Sequence, residues 1–199
     1  NVLDKAIHMA VEDLFSATNF ILDNAEQFGV NPSNIVISGS SAGAISVMQA
    51  EYEIANATQW ASVLPAGFNY AGVMSFSGAI LSREGKVDFK KSPCPTLMLH
   101  GTSDELVPYD QIKVFNLGFF GGGKLVERFK KYGLNYNMYH FTDYGHEIAG
   151  SMDTTLDLQL KFLETNVMQK KMRIVEAWIS DPDVFKGSGP QSRKELYGN

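Results

Sequence analysis

An α/β fold, in which helices flank a mostly parallel sheet, is the fold class that the sequence predicts. Short β-branched runs alternate with segments of helical periodicity, at intervals that leave room for crossover connections. With 199 residues, of which 44% are hydrophobic and 20% charged, the chain is long enough to bury a sizeable core. No internal repeat and no linker divides it, so we expect one domain.

The first half of the chain begins with a helix, followed by a strand and a second helix. Apolar residues at three- and four-residue steps predict a helix that stops near Gly29, because Asn31-Pro32 follows. The run Ile35–Ile37 predicts a buried strand. Helical spacing returns from Gly43 to about Glu53.

The second half continues the alternation. Apolar or alternating runs predict three more strands, at Tyr70–Phe76, Thr96–Leu99 and Asn135–Phe141. Helical patterns cover Asp110–Leu117, Lys124–Tyr132 and, in one or two pieces, Glu147–Trp178. The residues from Asp181 onwards are polar and rich in Gly, Ser and Pro, which is typical of a loose tail.

Composition excludes several classes of partner. The net charge of −5 argues against nucleic acid, and no apolar run is long enough to span a bilayer. Cys94 is the single cysteine, and no Cys/His cluster has the spacing of zinc ligands. The run Gly118–Lys124 matches a phosphate-binding loop, but Leu125 stands where Ser or Thr would bind magnesium. We therefore expect no metal and no cofactor.

The motif Gly39-Ser40-Ser41-Ala42-Gly43 is the strongest chemical signal in the chain. It matches G-x-S-x-G and lies between a predicted strand and a predicted helix. A serine on such a tight turn is held in an unfavourable backbone conformation with its hydroxyl above the sheet edge. Ser41 is thus a candidate nucleophile, and the N–H of Ala42 is a candidate oxyanion donor at the helix N-terminus.

A nucleophilic serine needs a base, and four histidines are available. His8 falls on the first helix and His140 inside a strand pattern, whereas His146 lies in the loop after the last predicted strand. Ligands bind at the carboxyl ends of strands in open α/β sheets, which favours His146. His100, at the end of another strand, is the rival base.

The base needs an acid that orients it. Asp104 follows the strand Thr96–Leu99 by a short turn and is the preferred candidate. Asp143, three residues before His146, is the competitor, and Glu105 is a weaker third choice. Each of the three preferred residues, Ser41, Asp104 and His146, follows a predicted strand.

The chain resembles the α/β-hydrolase superfamily and, within it, the carboxylesterase and lipase-like branch. The resemblance is carried by Val30–Gly43, Pro95–Pro108 and Tyr139–Glu147, with the catalytic residues in the order Ser, Asp, His. It implies that Ser41 is the nucleophile, Asp104 the acid, His146 the base and Ala42 an oxyanion donor. It also implies a catalytic domain over residues 1–180, followed by a polar tail over residues 181–199.

One departure from that family stands out. Family members have several strands before the nucleophile strand, and the turn after an early one supplies the other oxyanion donor. Here residues 1–34 hold no predicted strand and no paired glycines. We therefore expect Ile35–Ile37 to lie at the edge of the sheet, and the N-terminal portion of the same hydrolase to be missing from this chain.

The resemblance implies a serine hydrolase that cleaves carboxylic esters through an acyl-enzyme intermediate, without a cofactor. The expected substrate is a small ester or an acylated carbohydrate. A serine peptidase of the prolyl-oligopeptidase type would use the same three residues, and a non-catalytic α/β-hydrolase-fold fragment is a further alternative. Nothing in the sequence selects a compartment or an oligomeric state.

Overall fold

The computed structural model describes residues 2–181, 183, 192, 194, 195 and 198. Most of the predicted tail, residues 181–199, lies outside the described residues. The helices are α1 (Val2–Asp23), α2 (Ala25–Phe28), α3 (Ala42–Ala55), α4 (Gly122–Tyr132) and α5 (Leu156–Phe162). The strands are β1 (Val36–Ser40), β2 (Gly72–Phe76), β3 (Ala79–Ser82), β4 (Thr96–Gly101), β5 (Gln111–Val114), β6 (Leu117–Gly121), β7 (Tyr136–Phe141) and β8 (Val175–Ile179).

Five strands form a parallel sheet in the order β1-β2-β4-β7-β8. This confirms the predicted fold class, in which helices flank a mostly parallel sheet. Because all the strands run the same way, their carboxyl ends meet at one edge, where the loops after β1, β4 and β7 lie side by side. Within the described part of the chain, β1 forms one outer edge of this sheet, as the sequence predicts.

Side chains on the two faces of the sheet enter two separate core clusters. Ile37, Val73 and Met98 belong to the cluster that contains residues of α1, α3 and α4. Leu97 and Leu99 point the other way and pack with Phe162 and Val167, in α5 and the π-helical turn Leu163–Met168 that follows it. This alternation explains why the strands are apolar on both faces and easy to recognise in the sequence.

A second, antiparallel sheet of three strands, in the order β3-β6-β5, was not predicted. The helix predicted at Asp110–Leu117 is wrong, because this segment contains β5 and the turn that leads into β6. Ile112 and Val114 are β-branched and suit a strand, and Phe115 takes a positive φ of 54° at the turn. Four-residue strands give too short a pattern to compete with helical spacing.

The long helix predicted at Glu147–Trp178 is also wrong. The segment contains a 3-10 turn (His146–Gly150), α5, the π-helical turn and finally β8. The helical part ends shortly before Lys170, which has a φ of 51°. A lysine in the left-handed region gives no stop signal in the sequence, in contrast to Gly29, the predicted end of the first helical segment, which caps α2.

No helix within the described ranges is long and apolar enough to cross a membrane.

The packing of α1 against α3 is tested by two phenylalanines of α1. Phe15 is completely buried, whereas Phe20 is 59% exposed. We expect Phe15→Ala to lower the free energy of unfolding by about 3–5 kcal/mol, because it leaves a cavity in the core. Phe20→Ala, the control, should lower it by less than about 1 kcal/mol. Urea unfolding measures both, and equal losses would contradict the described packing of α1.

Candidate active site

The turn between β1 and α3 holds Ser41 in a strained conformation. Its φ is 52° and its ψ is −117°, a region that residues other than glycine avoid. Two backbone hydrogen bonds fix the turn: Ser41 N–H donates to the Phe76 carbonyl at 2.9 Å, and Ile45 N–H donates to the Ser41 carbonyl at 3.0 Å. The side chain of Ser41 is therefore presented at the carboxyl edge of the sheet.

The two glycines of the motif have different roles. A Cβ on Gly39 would lie 2.2 Å from the Gly43 carbonyl oxygen, so the first turn of α3 can approach β1 only if residue 39 is glycine. A Cβ on Gly43 would meet nothing within 4 Å. Among the residues that the structure describes, packing therefore requires only the first glycine of the pattern.

His146 begins the 3-10 turn that follows β7, and its ring reaches the turn at Ser41. His146 Nε2 lies 2.8 Å from Ser41 Oγ. A second contact holds the same two loops together, because Ser40 Oγ donates to the Ala149 carbonyl at 2.5 Å. The geometry allows the imidazole to accept the Ser41 proton directly.

Asp104 lies in the loop after β4 and binds the other nitrogen of the same ring. His146 Nδ1 is 2.9 Å from Asp104 Oδ2 and 3.1 Å from Oδ1. The backbone N–H groups of Leu106 and Val107 donate to Asp104 Oδ1 at 3.0 and 2.9 Å. The carboxylate is thus held by its own loop while it faces the imidazole.

The charge on Asp104 is stabilised despite burial. Its side chain is inaccessible to solvent, and burial alone would raise the pKa of this carboxyl. Hydrogen bonds from His100, His146 and the Val107 N–H outweigh that effect and hold the pKa well below its usual range. Asp104 is therefore ionised at neutral pH and can stabilise a positive charge on His146.

The rival candidates lie elsewhere. The carboxylates of Asp143 and Glu105 belong to exposed residues, and the Asp143 backbone N–H donates to Thr102 Oγ1 at 2.9 Å. His8 stacks on Trp60 beside α3, and His140 stacks on Trp178 at the far edge of the sheet. The structure brings together Ser41, His146 and Asp104, and their catalytic roles stay a prediction.

Ala42 is the first residue of the 14-residue helix α3. Its N–H has no acceptor one turn earlier in the helix, and it lies at the positive end of the helix dipole. The residues upstream of β1 that the structure describes form α1, α2 and a 3-10 turn (Pro32–Asn34). They contain no strand whose following turn would carry a second donor.

Sequence reasoning missed two contacts that support the site. His100, considered only as a rival base, lies with its Nε2 3.4 Å from Asp104 Oδ2. Ser40, a variable position of the motif, makes the hydrogen bond to Ala149 described above. His100 and Asp104 are four residues apart, a spacing at which a turn can bring two side chains together. The sequence does not show that turn, so the contact is seen only in the structure.

Within the described part of the chain, no group of three or more His, Cys, Asp or Glu side chains is arranged to hold a metal ion.

The parallel sheet, the strained serine on a strand-to-helix turn and the order Ser, Asp, His define an α/β-hydrolase fold. Residues 3–73, which include Ser41, match the family model BD-FAE, an α/β-hydrolase-type esterase domain. The comparison with curated proteins finds no match.

Three solved structures share this fold. Esterase PE8 has a TM-score of 0.50 and 21% identity, and the match covers 76% of this chain and 61% of that one. A puromycin-hydrolysing peptidase from Mycobacterium tuberculosis has a TM-score of 0.51 and 19% identity, and the match covers 84% of this chain and 27% of that one. A truncated carbohydrate esterase from gut microbiota has a TM-score of 0.50 and 16% identity, and the match covers 77% of this chain and 67% of that one. The chain spans less than two thirds of the length of the first two.

The packing at the serine turn predicts opposite effects for its two glycines. Gly39→Ala should lower the free energy of unfolding by several kcal/mol, because its methyl group would collide with backbone atoms of α3. Gly43→Ala should leave stability unchanged or raise it by up to about 1 kcal/mol, since alanine favours a helix and has room here. Urea unfolding tests both variants, and a destabilised Gly43→Ala would refute this account of the turn.

Proposed function

We propose that this chain is the catalytic part of a serine hydrolase that cleaves carboxylic esters through an acyl-enzyme intermediate. The observation that supports the proposal best is the unbroken set of hydrogen bonds from Ser41 Oγ through His146 to Asp104. A serine hydroxyl is a weak nucleophile unless a base takes its proton, and this arrangement supplies the base and its orienting acid.

In the first half of the reaction, Ser41 Oγ attacks the ester carbonyl carbon while His146 Nε2 takes the hydroxyl proton. The carbonyl oxygen becomes an oxyanion, to which the Ala42 N–H donates. Asp104 keeps His146 Nδ1 protonated and stabilises the imidazolium. Collapse of the intermediate breaks the ester C–O bond, and His146 gives its proton to the departing alcohol, which leaves an acyl group on Ser41.

In the second half of the reaction, a water molecule takes the place that the departed alcohol occupied next to the acyl group. His146 Nε2 takes a proton from the water as the water oxygen attacks the acyl carbon. The bond between that carbon and Ser41 Oγ then breaks, and the same nitrogen returns the proton to Ser41 Oγ. The products are a carboxylic acid and the free serine. No redox step and no group other than these side chains and water is needed to balance the reaction.

The proposal includes a further strand on the open edge of β1. The backbone groups on the outer side of an edge strand can pair with another strand, and Ile37 in this strand is buried. A strand paired there would end beside Ser41, in a position to contribute the second oxyanion donor. We propose that a strand of the same hydrolase fills this edge.

A small ester or an acylated carbohydrate is the substrate class that we propose. It is supported by the match of residues 3–73 to an esterase domain and by the shared fold of esterase PE8 and the carbohydrate esterase. A serine peptidase is the second candidate, because the puromycin-hydrolysing peptidase aligns with 84% of this chain. The open edge of β1 favours a third candidate, a non-catalytic fragment, because a single oxyanion donor is about a hundred- to a thousand-fold less effective than two.

Hydrolysis of acetyl, butyryl and feruloyl esters by purified chain tests the proposal. We expect turnover of at least one ester, and a fall in kcat of about four to six orders of magnitude in Ser41→Ala and His146→Ala. Ser38→Ala, which changes an exposed serine of the same strand, is the control and should keep the activity.

The other outcomes each select a rival. Cleavage of aminoacyl-amide or peptide substrates without ester turnover would select the peptidase. A well-folded chain that turns over none of these substrates would select the non-catalytic fragment, and an active Ser41→Ala variant would exclude Ser41 as the nucleophile.

A further inference from the structure

His100 is the last residue but one of β4, and its side chain is almost completely buried, with 1% exposed. A buried imidazole must have hydrogen-bond partners for both ring nitrogens. Nδ1 lies 3.2 Å from the Gly122 backbone N–H, which can only donate. Nε2 lies 3.1 Å from the Val107 carbonyl, which can only accept. The neutral ring therefore carries its proton on Nε2.

The protonated nitrogen also faces the acid of the candidate site. His100 Nε2 lies 3.4 Å from Asp104 Oδ2. This carboxylate oxygen is also the one that lies 2.9 Å from His146 Nδ1. Asp104 Oδ2 is thus placed between two imidazole rings, of which only that of His146 reaches Ser41.

The contacts of His100 and Asp104 close a ring through Val107. The Val107 N–H donates to Asp104 Oδ1 at 2.9 Å, and the carbonyl of the same residue accepts from His100. Both backbone groups of Val107 are therefore bonded, the N–H to Asp104 and the C=O to His100, and these two bonds hold the loop that carries the Asp104 carboxylate. Removal of the His100 donor would free the Val107 carbonyl and leave Asp104 Oδ2 with His146 as its single partner among the described residues.

We infer that His100 is a positioning residue, which holds Asp104 in register with His146 although it touches neither Ser41 nor a substrate. The inference rests on the proposed function, because a positioned acid matters only if His146 acts as a base. An error of about 1 Å in the placement of a catalytic group can reduce the rate about a hundredfold. The effect of losing His100 should therefore appear in kcat rather than in KM.

Two polar replacements of similar size separate the donor role from mere packing. The side-chain nitrogen of glutamine extends to the place of Nε2, so His100→Gln can still donate towards Val107 and Asp104. Asparagine is one bond shorter and can replace only Nδ1, which faces Gly122. We expect kcat to fall about 10- to 100-fold in His100→Asn and to stay within about threefold of the original in His100→Gln, with KM unchanged in both.

His140 offers a matched control. It pairs with His100 in register on the neighbouring strand and is 2% exposed. Its Nδ1 lies 2.7 Å from the Tyr109 hydroxyl rather than from Asp104. His140→Asn should therefore keep kcat, even if it lowers the unfolding midpoint as much as His100→Asn does.

A double-mutant cycle shows whether His100 acts through Asp104. In an Asp104→Asn background, His100→Asn should reduce kcat by no more than about twofold, because the group that it positions is absent. Full additivity of the two losses would overturn the inference, as would an equal loss of kcat in His100→Asn and His100→Gln. If His100→Asn does not fold, Gly122→Ala replaces it, since the new Cβ would press on His100 Nδ1 from 3.0 Å.

A spectroscopic readout keeps this test separate from the proposed function. The proton shared by His146 Nδ1 and Asp104 should give a low-field ¹H NMR resonance in the wild-type chain and in His100→Gln, and a shifted or absent one in His100→Asn. If the wild-type chain hydrolyses no ester, the proposed function fails but this resonance still decides the role of His100. An unchanged resonance in folded His100→Asn overturns the inference.

Discussion

The hydrogen bond between Ser41 Oγ and His146 Nε2 joins two loops that lie 105 residues apart in the sequence. It forms because β1 and β7 run parallel in one sheet, so that the loops after them meet at the same edge. The strain at Ser41 is part of this arrangement, since the turn that carries the hydroxyl to the ring holds Ser41 at a φ of 52°. Parallel pairing and the close approach of α3 at Gly39 are thus the conditions on which the site depends.

Burial determines the chemistry of Asp104, the acid of the candidate site. A carboxylate inside a protein is expensive unless hydrogen bonds replace its water, and Asp104 receives them from two backbone N–H groups and two imidazoles. The charge therefore persists where solvent does not screen it, and it faces the imidazoles of both His146 and His100. The β4 loop that forms this environment also packs on the loop of the base, because Ser103 N–H donates to the Tyr144 carbonyl at 2.9 Å.

The sequence was sufficient to predict those strands and helix ends that a pattern of neighbouring residues marks. β1, β2, β4 and β7 are apolar on both faces, and Gly29 marks the end of the first helical segment, so these elements were found. β3, β5, β6 and β8 were missed: β3 and β5 have only four residues each, and Lys170 rather than a glycine takes the left-handed conformation before β8. Ser41, Asp104 and His146 were predicted because each lies in a loop that follows a strand. The contact of His100 with Asp104 was not predicted, because it depends on the geometry of the turn between them, which leaves no pattern in the sequence.

The central claim is that His146 and Asp104 make the Ser41 hydroxyl unusually reactive. Incubation of the folded chain with a fluorophosphonate, followed by peptide-level mass spectrometry, tests it most directly. The account predicts a single phosphonate adduct on Ser41 that does not form in the folded His146→Ala chain. An unmodified Ser41 in the folded chain, or adducts distributed over other serines, would contradict it.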